Sequence, residues 1–312
     1  MGCGNAAPIA HTLETFMRQA SRPGYRLFYD INGWAFVSAA LLLIGTFMVY
    51  PIAKSLWMSL YAGQGSMVQF VGLGNVERLL NDPMFLRALT NTFIFLIVQV
   101  PIMIVLALVL ASALNMPNLR FRGLLRTAIF LPCVTSLVAY SVLFKSMFSY
   151  DGLVNATLLW TGLIDQPVPW LTDPFWARVV VISAITWRWT GYNMIFYLAA
   201  MQNVDKSIYE AARIDGISAT RRFLSITIPV LKPVILFTTV TSTIGTLQMF
   251  DEAMNITNGG PADSTLTLSL YIYNLSFKFV PNFGYAATVS YVIVILVAIL
   301  AFFQFYLARE KE

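Results

Sequence analysis

The chain has 312 residues, of which 58% are hydrophobic and only 11% charged, against about 25% charged in an ordinary soluble domain. With a mean hydropathy of +0.70, too few polar side chains exist to cover a water-soluble fold of this length, which excludes a soluble enzyme, a nucleic-acid binder and a disordered chain and leaves an integral membrane protein. The net charge of +5 comes from Lys and Arg set between apolar runs, the pattern of topology signals at a membrane rather than of a nucleic-acid surface.

In chain order, residues 1–30 hold His11, Arg18, Arg22 and Arg26. They lack an apolar core long enough for a cleavable signal, and Ala6 stands where an N-myristoylation motif has Ser or Thr. The segment is expected to be a cytoplasmic N-terminus. A spanning helix needs about 20 mostly apolar residues. Runs of that kind cover 31–53, 88–119, 127–144, 179–204 (with one charge, Arg188), 233–250 (the apolar stretch starting near Ile228) and 279–308. That predicts an all-α polytopic protein with six transmembrane helices over 31–308 and a cytoplasmic tail at 309–312. Pro51, Pro101, Pro132 and Pro233 fall at or in these spans and are expected to kink them. Two apolar stretches, 152–164 and 264–277, are too short to cross and read as interfacial or re-entrant segments.

With six spans, Arg18, Arg22 and Arg26, then Arg120, Arg122 and Arg126, then Lys206, Arg213, Arg221, Arg222 and Lys232, and finally Arg309 and Lys311 all fall on one side. The positive-inside rule makes that side, with both termini, cytoplasmic.

The loop at 205–229 is patterned. Ile208, Ala211, Ala212 and Ile214 are placed to share one face of a helix, and the alanine pair leaves that face low. Gly216 suits the left-handed residue that ends a helix. Ser218 suits the cap of a second short helix running to Ile226, and Pro229 suits the first turn of the next span. Two short helices are expected, with Glu210, Arg213 and Asp215 as charged edges. They would dock a partner or lie on lipid headgroups.

The spacing Glu210-Ala211-Ala212, three residues, Gly216, nine residues, Ile226, one residue, then Ile228-Pro229 resembles the signature of permease subunits of bacterial ABC importers, with Ile228 where Leu is usual. Further stretches resemble the carbohydrate branch of that family: Phe70-Val71-Gly72-Leu73-Gly74-Asn75, Arg122-Gly123-Leu124-Leu125-Arg126, Pro169-Trp170-Leu171-Thr172-Asp173-Pro174, Thr257-Asn258-Gly259-Gly260-Pro261 and Phe283-Gly284-Tyr285-Ala286. The resemblance implies a type I importer permease fold in which Glu210, Ala211, Ala212, Arg213, Asp215, Gly216, Ile226 and Pro229 form coupling helices seated on a separate ATPase. It implies as partners a second permease subunit, an ABC ATPase dimer that holds the ATP and Mg, and an extracytoplasmic solute-binding protein, in a bacterial inner membrane. It also implies a carbohydrate substrate, with glycerol 3-phosphate or a similar polyol-like solute as the alternative.

Polar groups at membrane depth line paths or helix contacts. Tyr192, Asn193, Thr246, Gln248, Asp251, Ser290 and Tyr291 supply the amide, carboxylate, hydroxyl and aromatic groups that sugar recognition uses, with helix packing as the competing role. Gln248 and Asp251 are expected to meet at i, i+3 on one helix. Arg188 reads either as a gate or substrate contact or, preferentially, as an arginine snorkelling to the interface between Trp187 and Trp189. The chain has no GxxxxGK[ST] to hold phosphates. Its two cysteines, Cys3 and Cys133, and its single His11 form no metal or nucleophile constellation, so neither enzyme chemistry nor a bound cofactor is expected. An ion-coupled secondary transporter would need membrane carboxylates, and only Asp251 and Glu252 stand near a span.

Overall fold

A computed structural model describes residues 23–64, 67–116 and 119–308, with the side chains of 23–32, Gln64 and Lys206 outside it. The expectations for Cys3, His11, Arg18, Arg22 and the tail at 309–312 lie outside the described residues. The chain divides into a first unit ending at Met58 and a second from Ser59 onward.

The first unit is one helical run. Helix α1 (Pro23–Ile44) passes through a π turn (Gly45–Val49) into α2 (Tyr50–Ser59), and Pro51 follows directly on the π turn in which the Tyr50 N–H donates to Gly45 O, a wider register that accommodates its missing N–H. Residues 33–59 are long and apolar enough to cross a membrane.

The second unit opens with a feature absent from the all-α expectation, a hairpin of β1 (Tyr61–Gln64) and β2 (Met67–Phe70). Tyr61 pairs with Phe70, their rings edge-to-face at 5.4 Å. Aromatic and β-branched cross-strand neighbours stabilise such a short ladder. The buried amide of Asn75 donates to the carbonyls of Ser59 (2.7 Å) and Tyr61 (2.8 Å) and ties the hairpin to α3 (Gly74–Leu80).

Helix α4 (Pro83–Leu114) starts on Asp82, whose carboxylate accepts from Met84 N, with Pro83 in the first turn. The expected third span is broken. Helices α5 (Arg122–Val134) and α6 (Leu137–Met147) meet at 100°. Pro132 removes a helical donor, and Thr135 turns extended, its hydroxyl donating to Pro132 O at 2.8 Å. Helix α7 (Leu153–Trp160) is short, as expected of a segment that does not cross.

Helix α8 (Pro174–Gln202) packs along α4 and crosses α5. It is followed by α9 (Lys206–Ile214), α10 (Ala219–Arg222), a π turn (Phe223–Thr227), α11 (Ile228–Leu247), a π turn (Ala253–Thr257), α12 (Leu268–Tyr273) and α13 (Phe283–Ala308). Among the described residues four helical runs are apolar enough to cross (33–59, α4, 219–247 and α13), or five if α5 and α6 form one span. Helix α8 is 29 residues long but does not join this set. Arg178, Arg188 and Asn193 dilute its hydropathy, and its central place in the bundle, with much of its length buried, explains why it tolerates them.

Two apolar clusters organise the unit. One gathers Ala107, Leu108, Ala111 and Leu114 of α4 with Met194, Tyr197 and Met201 of α8 and Leu231 of α11, at the end nearest the 205–229 loop. The other gathers Phe85 and Ala88 of α4, Val181 and Ile185 of α8, Leu247 and Tyr285 towards the far end. Helices α4 and α8 therefore run in the same direction and α11 opposes them.

Candidate functional site

The 205–229 loop is built from local backbone chemistry. Asp205 caps α9 by accepting from Ser207 N at 2.9 Å, and that hydrogen bond holds its carboxyl below the usual aspartate value. At the other end of α9, Gly216 has φ +72°. The Gly216 N–H donates to Arg213 O (3.1 Å) and the Ile217 N–H to Ala212 O (3.0 Å). This is the paired 5→2 and 6→1 closure that ends a helix on a left-handed residue. Ser218 then accepts from Arg221 N at 3.4 Å and starts α10.

Two expectations change here. The second short helix does not stand alone, because α10 continues through the π turn into α11 as one run over 219–247. Arg222, Thr227 and Ile228 all keep right-handed helical backbone, so Pro229 lies inside the run, directly after the π turn in which the Ile228 N–H donates to Phe223 O and which absorbs its missing N–H. Nor are the four apolar residues of α9 buried together. Ala212 is buried, and beside it Tyr209 Oη and Thr227 Oγ1 are 3.2 Å apart. Ala211, Ile208 and Ile214 point outward with Glu210, Arg213 and Asp215, and Ile214 is 85% exposed. Ile226 is half-buried and Pro229 exposed. The loop therefore offers an apolar patch ringed by charge.

The interior of the second unit is polar at its centre. Asn193 Nδ2 and Gln99 Nε2 both reach Met103 Sδ, at 3.3 and 3.2 Å, and Thr246 Oγ1 lies 3.0 Å from Gln99 Oε1. These groups join α4, α8 and α11. Asn193 Oδ1 is buried without a hydrogen-bond partner among the described residues. Gln99 and Met103 are absent from the residues expected on the path, although Gln99 is a lone amide inside an uncharged run and the same reasoning applies to it. Tyr192 is half-buried, its ring against Trp189 (5.5 Å) and Phe196 (5.0 Å). Ser290 donates to Ala286 O at 2.9 Å within α13, where Tyr291 is half-buried.

Residues 79–311 match the family described as binding-protein-dependent transport system inner membrane component. The chain belongs to that family. The lactose transport system permease protein LacF of Rhizobium radiobacter is 66% identical over 298 residues, covering 95% of this chain and all of that one. The arabinooligosaccharides transport system permease protein AraP of Bacillus subtilis is 32% identical, with 93% of each chain covered. The alpha-glucoside transport system permease protein AglF of Rhizobium meliloti is 30% identical over 87% of this chain and 81% of that one. A crystal structure of a bacterial ABC transporter that imports the acidic polysaccharide alginate superposes with a TM-score of 0.79 at 24% identity, covering 91% of this chain and 98% of that one. The fold is that of an ABC importer permease, a non-enzymatic subunit of an inner-membrane transport system.

In this permease Gln248 and Asp251 do not share a helix. Helix α11 ends at Leu247, Gln248 is its exposed C-cap, and a new helical turn starts at Asp251. Arg188 does not snorkel. It is buried, 3.6 Å from Glu252, with its guanidinium 5.1 Å from the Tyr140 ring centre and 5.5 Å from that of Trp189.

At the far end, Asp82 accepts from Tyr271 Oη and Tyr285 Oη, both at 2.5 Å, and Arg78 stacks on Tyr285 at 4.1 Å. Burial raises the Asp82 carboxyl, but the two phenols and the Met84 and Phe85 N–H groups together outweigh it and hold it below the ordinary value. Asn91 donates to Asp263 O (2.7 Å) and Leu266 O (3.0 Å), and Arg178 donates to Ser264 O (2.9 Å) and Asn91 Oδ1 (3.2 Å). These bonds fasten the 258–267 loop across α4 and α8.

Proposed function

We propose that this chain is one of two permease subunits of an ATP-driven importer for lactose or a closely related neutral glycoside. The observation that carries this is the 66% identity to a lactose permease across the whole of that chain. Three features support the details. The apolar, charge-ringed patch of α9 suits a groove on a soluble ATPase dimer, which would hold the ATP and Mg, since this chain has no phosphate-binding loop. The buried amides of Asn193 and Gln99 and the hydroxyl of Thr246 provide donors and acceptors suited to sugar hydroxyls, with Tyr192 as an aromatic face. Arg188, the cation that would suit glycerol 3-phosphate, is matched by Glu252, which favours an uncharged substrate. The distribution of Lys and Arg supports a cytoplasmic 205–229 loop and cytoplasmic termini, with α8 as the sixth span. At 29 residues it extends about 44 Å, enough to cross. A solute-binding protein delivers substrate from outside, and nucleotide-driven closure of the ATPase switches access between two states. The test is reconstitution with the second permease, the ATPase and the binding protein in proteoliposomes. Uptake of labelled lactose that requires both ATP and binding protein is expected. Uptake driven by an ion gradient without ATP, or ATP-dependent uptake of glycerol 3-phosphate but of no glycoside, overturns the reading.

A further inference from the structure

The two strands of chain that leave the 205–229 loop meet again inside the protein. One is α8, which runs into the loop at Gln202. Arg188 lies 14 residues above that point, about 21 Å along the helix. The other is the unbroken run 219–247, beyond whose end Glu252 lies in the helical turn that starts at Asp251. Gln248 N donates to Ile244 O and Met249 N to Thr246 O, which ties the start of the short link to Glu252 onto the top of α11. Near the loop the two arms pack on each other, with Tyr197 Oη 2.6 Å from Thr238 Oγ1, and at their upper ends, among the described residues, the ion pair between them is Arg188 to Glu252 at 3.6 Å.

That contact is loosely held. A separation of 3.6 Å lies beyond hydrogen-bonding distance. Arg188 Nε has no hydrogen-bond partner among the described residues, so one carboxylate and two aromatic faces hold the guanidinium. Tyr140 of α6 faces the same pair, its ring under Arg188 and its hydroxyl near Glu252 without a hydrogen bond of ordinary geometry. The third element at this junction is thus the half-span beyond the 100° bend. A buried ion pair is weak as a source of stability, since an apolar pair of similar volume fits such a site as well or better. Stability alone therefore does not account for the pair.

We propose that Arg188 and Glu252 are positioning residues for coupling. Their pair clasps the upper ends of the two arms of the 205–229 loop in the resting state and opens when the loop is displaced. The proposal rests on the importer reading above. The experiment measures ATPase activity of the reconstituted complex with and without its binding protein and lactose. The double variant R188M/E252M removes both charges and leaves an apolar pair. It is expected to assemble with a native melting temperature and to raise binding-protein-independent ATPase by at least about fivefold, the lower range of a coupling effect. The exchanged pair R188E/E252R is expected to restore the low resting rate. If R188M/E252M keeps native resting and stimulated rates, the pair is packing only and the proposal falls. Should that variant not assemble, R188Q/E252Q, which also removes both charges and leaves no buried ion unpaired, gives the same readout, and a native resting rate there overturns the proposal equally. A native complex that shows no stimulation by binding protein would instead sink the importer reading, and the clasp with it.

Discussion

Gly191 and Gly216 are glycines for different reasons, and the difference predicts opposite phenotypes. At Gly191 a Cβ would lie 2.0 Å from Ile129 O, on the backbone of α5. No side-chain adjustment relieves that contact, so Gly191→Ala should separate α5 from α8 and destabilise the subunit by about 1–3 kcal/mol. A lowered melting temperature of the detergent-purified protein is the check. At Gly216 a Cβ meets nothing within 4 Å, and only the φ of +72° requires glycine. Gly216→Val costs about 1–2 kcal/mol of local backbone preference and should leave insertion and assembly intact. It should lower uptake at least tenfold per ATP hydrolysed, because the closure of α9 that aims its exposed face is lost. Normal transport by that variant would remove the loop from the coupling path. The role of Gly216 is legible from its place after an apolar helical stretch. That of Gly191 is not, because a close crossing depends on which helix arrives opposite, and spacing along one chain does not encode it.

Among the elements, those whose ends carry their own chemistry are the most legible. Pro83 and Pro174 in first helical turns, each preceded by a capping Asp, start α4 and α8. The 100° break between α5 and α6 is only half legible. Pro132 announces a kink, but the extended backbone at Thr135 and Ser136 that makes it a corner follows from packing on both sides. Pairing Gln248 with Asp251 assumes that α11 runs on through them. In fact Gln248 caps it, so sequence spacing counts residues along a helix that has already ended. The Asp82 cap yields a pH prediction. Its folded pKa lies below the unfolded value of about 3.9. Its stabilisation is therefore complete above that unfolded value and is lost as pH falls through the lower, folded one. Thermal stability measured at stepwise lower pH should fall below about pH 4 in the native protein. Asp82→Asn should be less stable at neutral pH, by about 1–2 kcal/mol, and should show a flatter acid limb. Identical limbs would show that the two tyrosines do not depend on the charge.

Over the whole molecule, the distribution of charge predicts the topology. A cysteine placed at Asp215 should react with a membrane-impermeant thiol reagent only from the cytoplasmic side, and one at Asp165 only from outside, in a background with Cys3 and Cys133 replaced by serine. The reverse pattern would invert the protein and leave the ATPase no access to the loop. Membrane residence and the patterned loop are legible in the amino-acid sequence because both are periodic or compositional. The polar centre is legible only in part. Asn193 and Thr246 stand out as polar residues at depth, whereas Gln99 gains its meaning from Thr246, 147 positions away. Arg188 misleads for the same reason, since its flanking tryptophans are local and Glu252 is not.

The merging of α10 into α11 has a mechanical consequence. The 29-residue run 219–247 extends about 44 Å at the α-helical rise. If it pivots near its base, a tilt of about 10° imposed there carries its far end about 8 Å, roughly the width of a sugar ring with its hydroxyls. A break after Ile226 would have absorbed much of that tilt locally. By joining the two segments the chain would turn a small rotation at one end of the run into a larger displacement at the other.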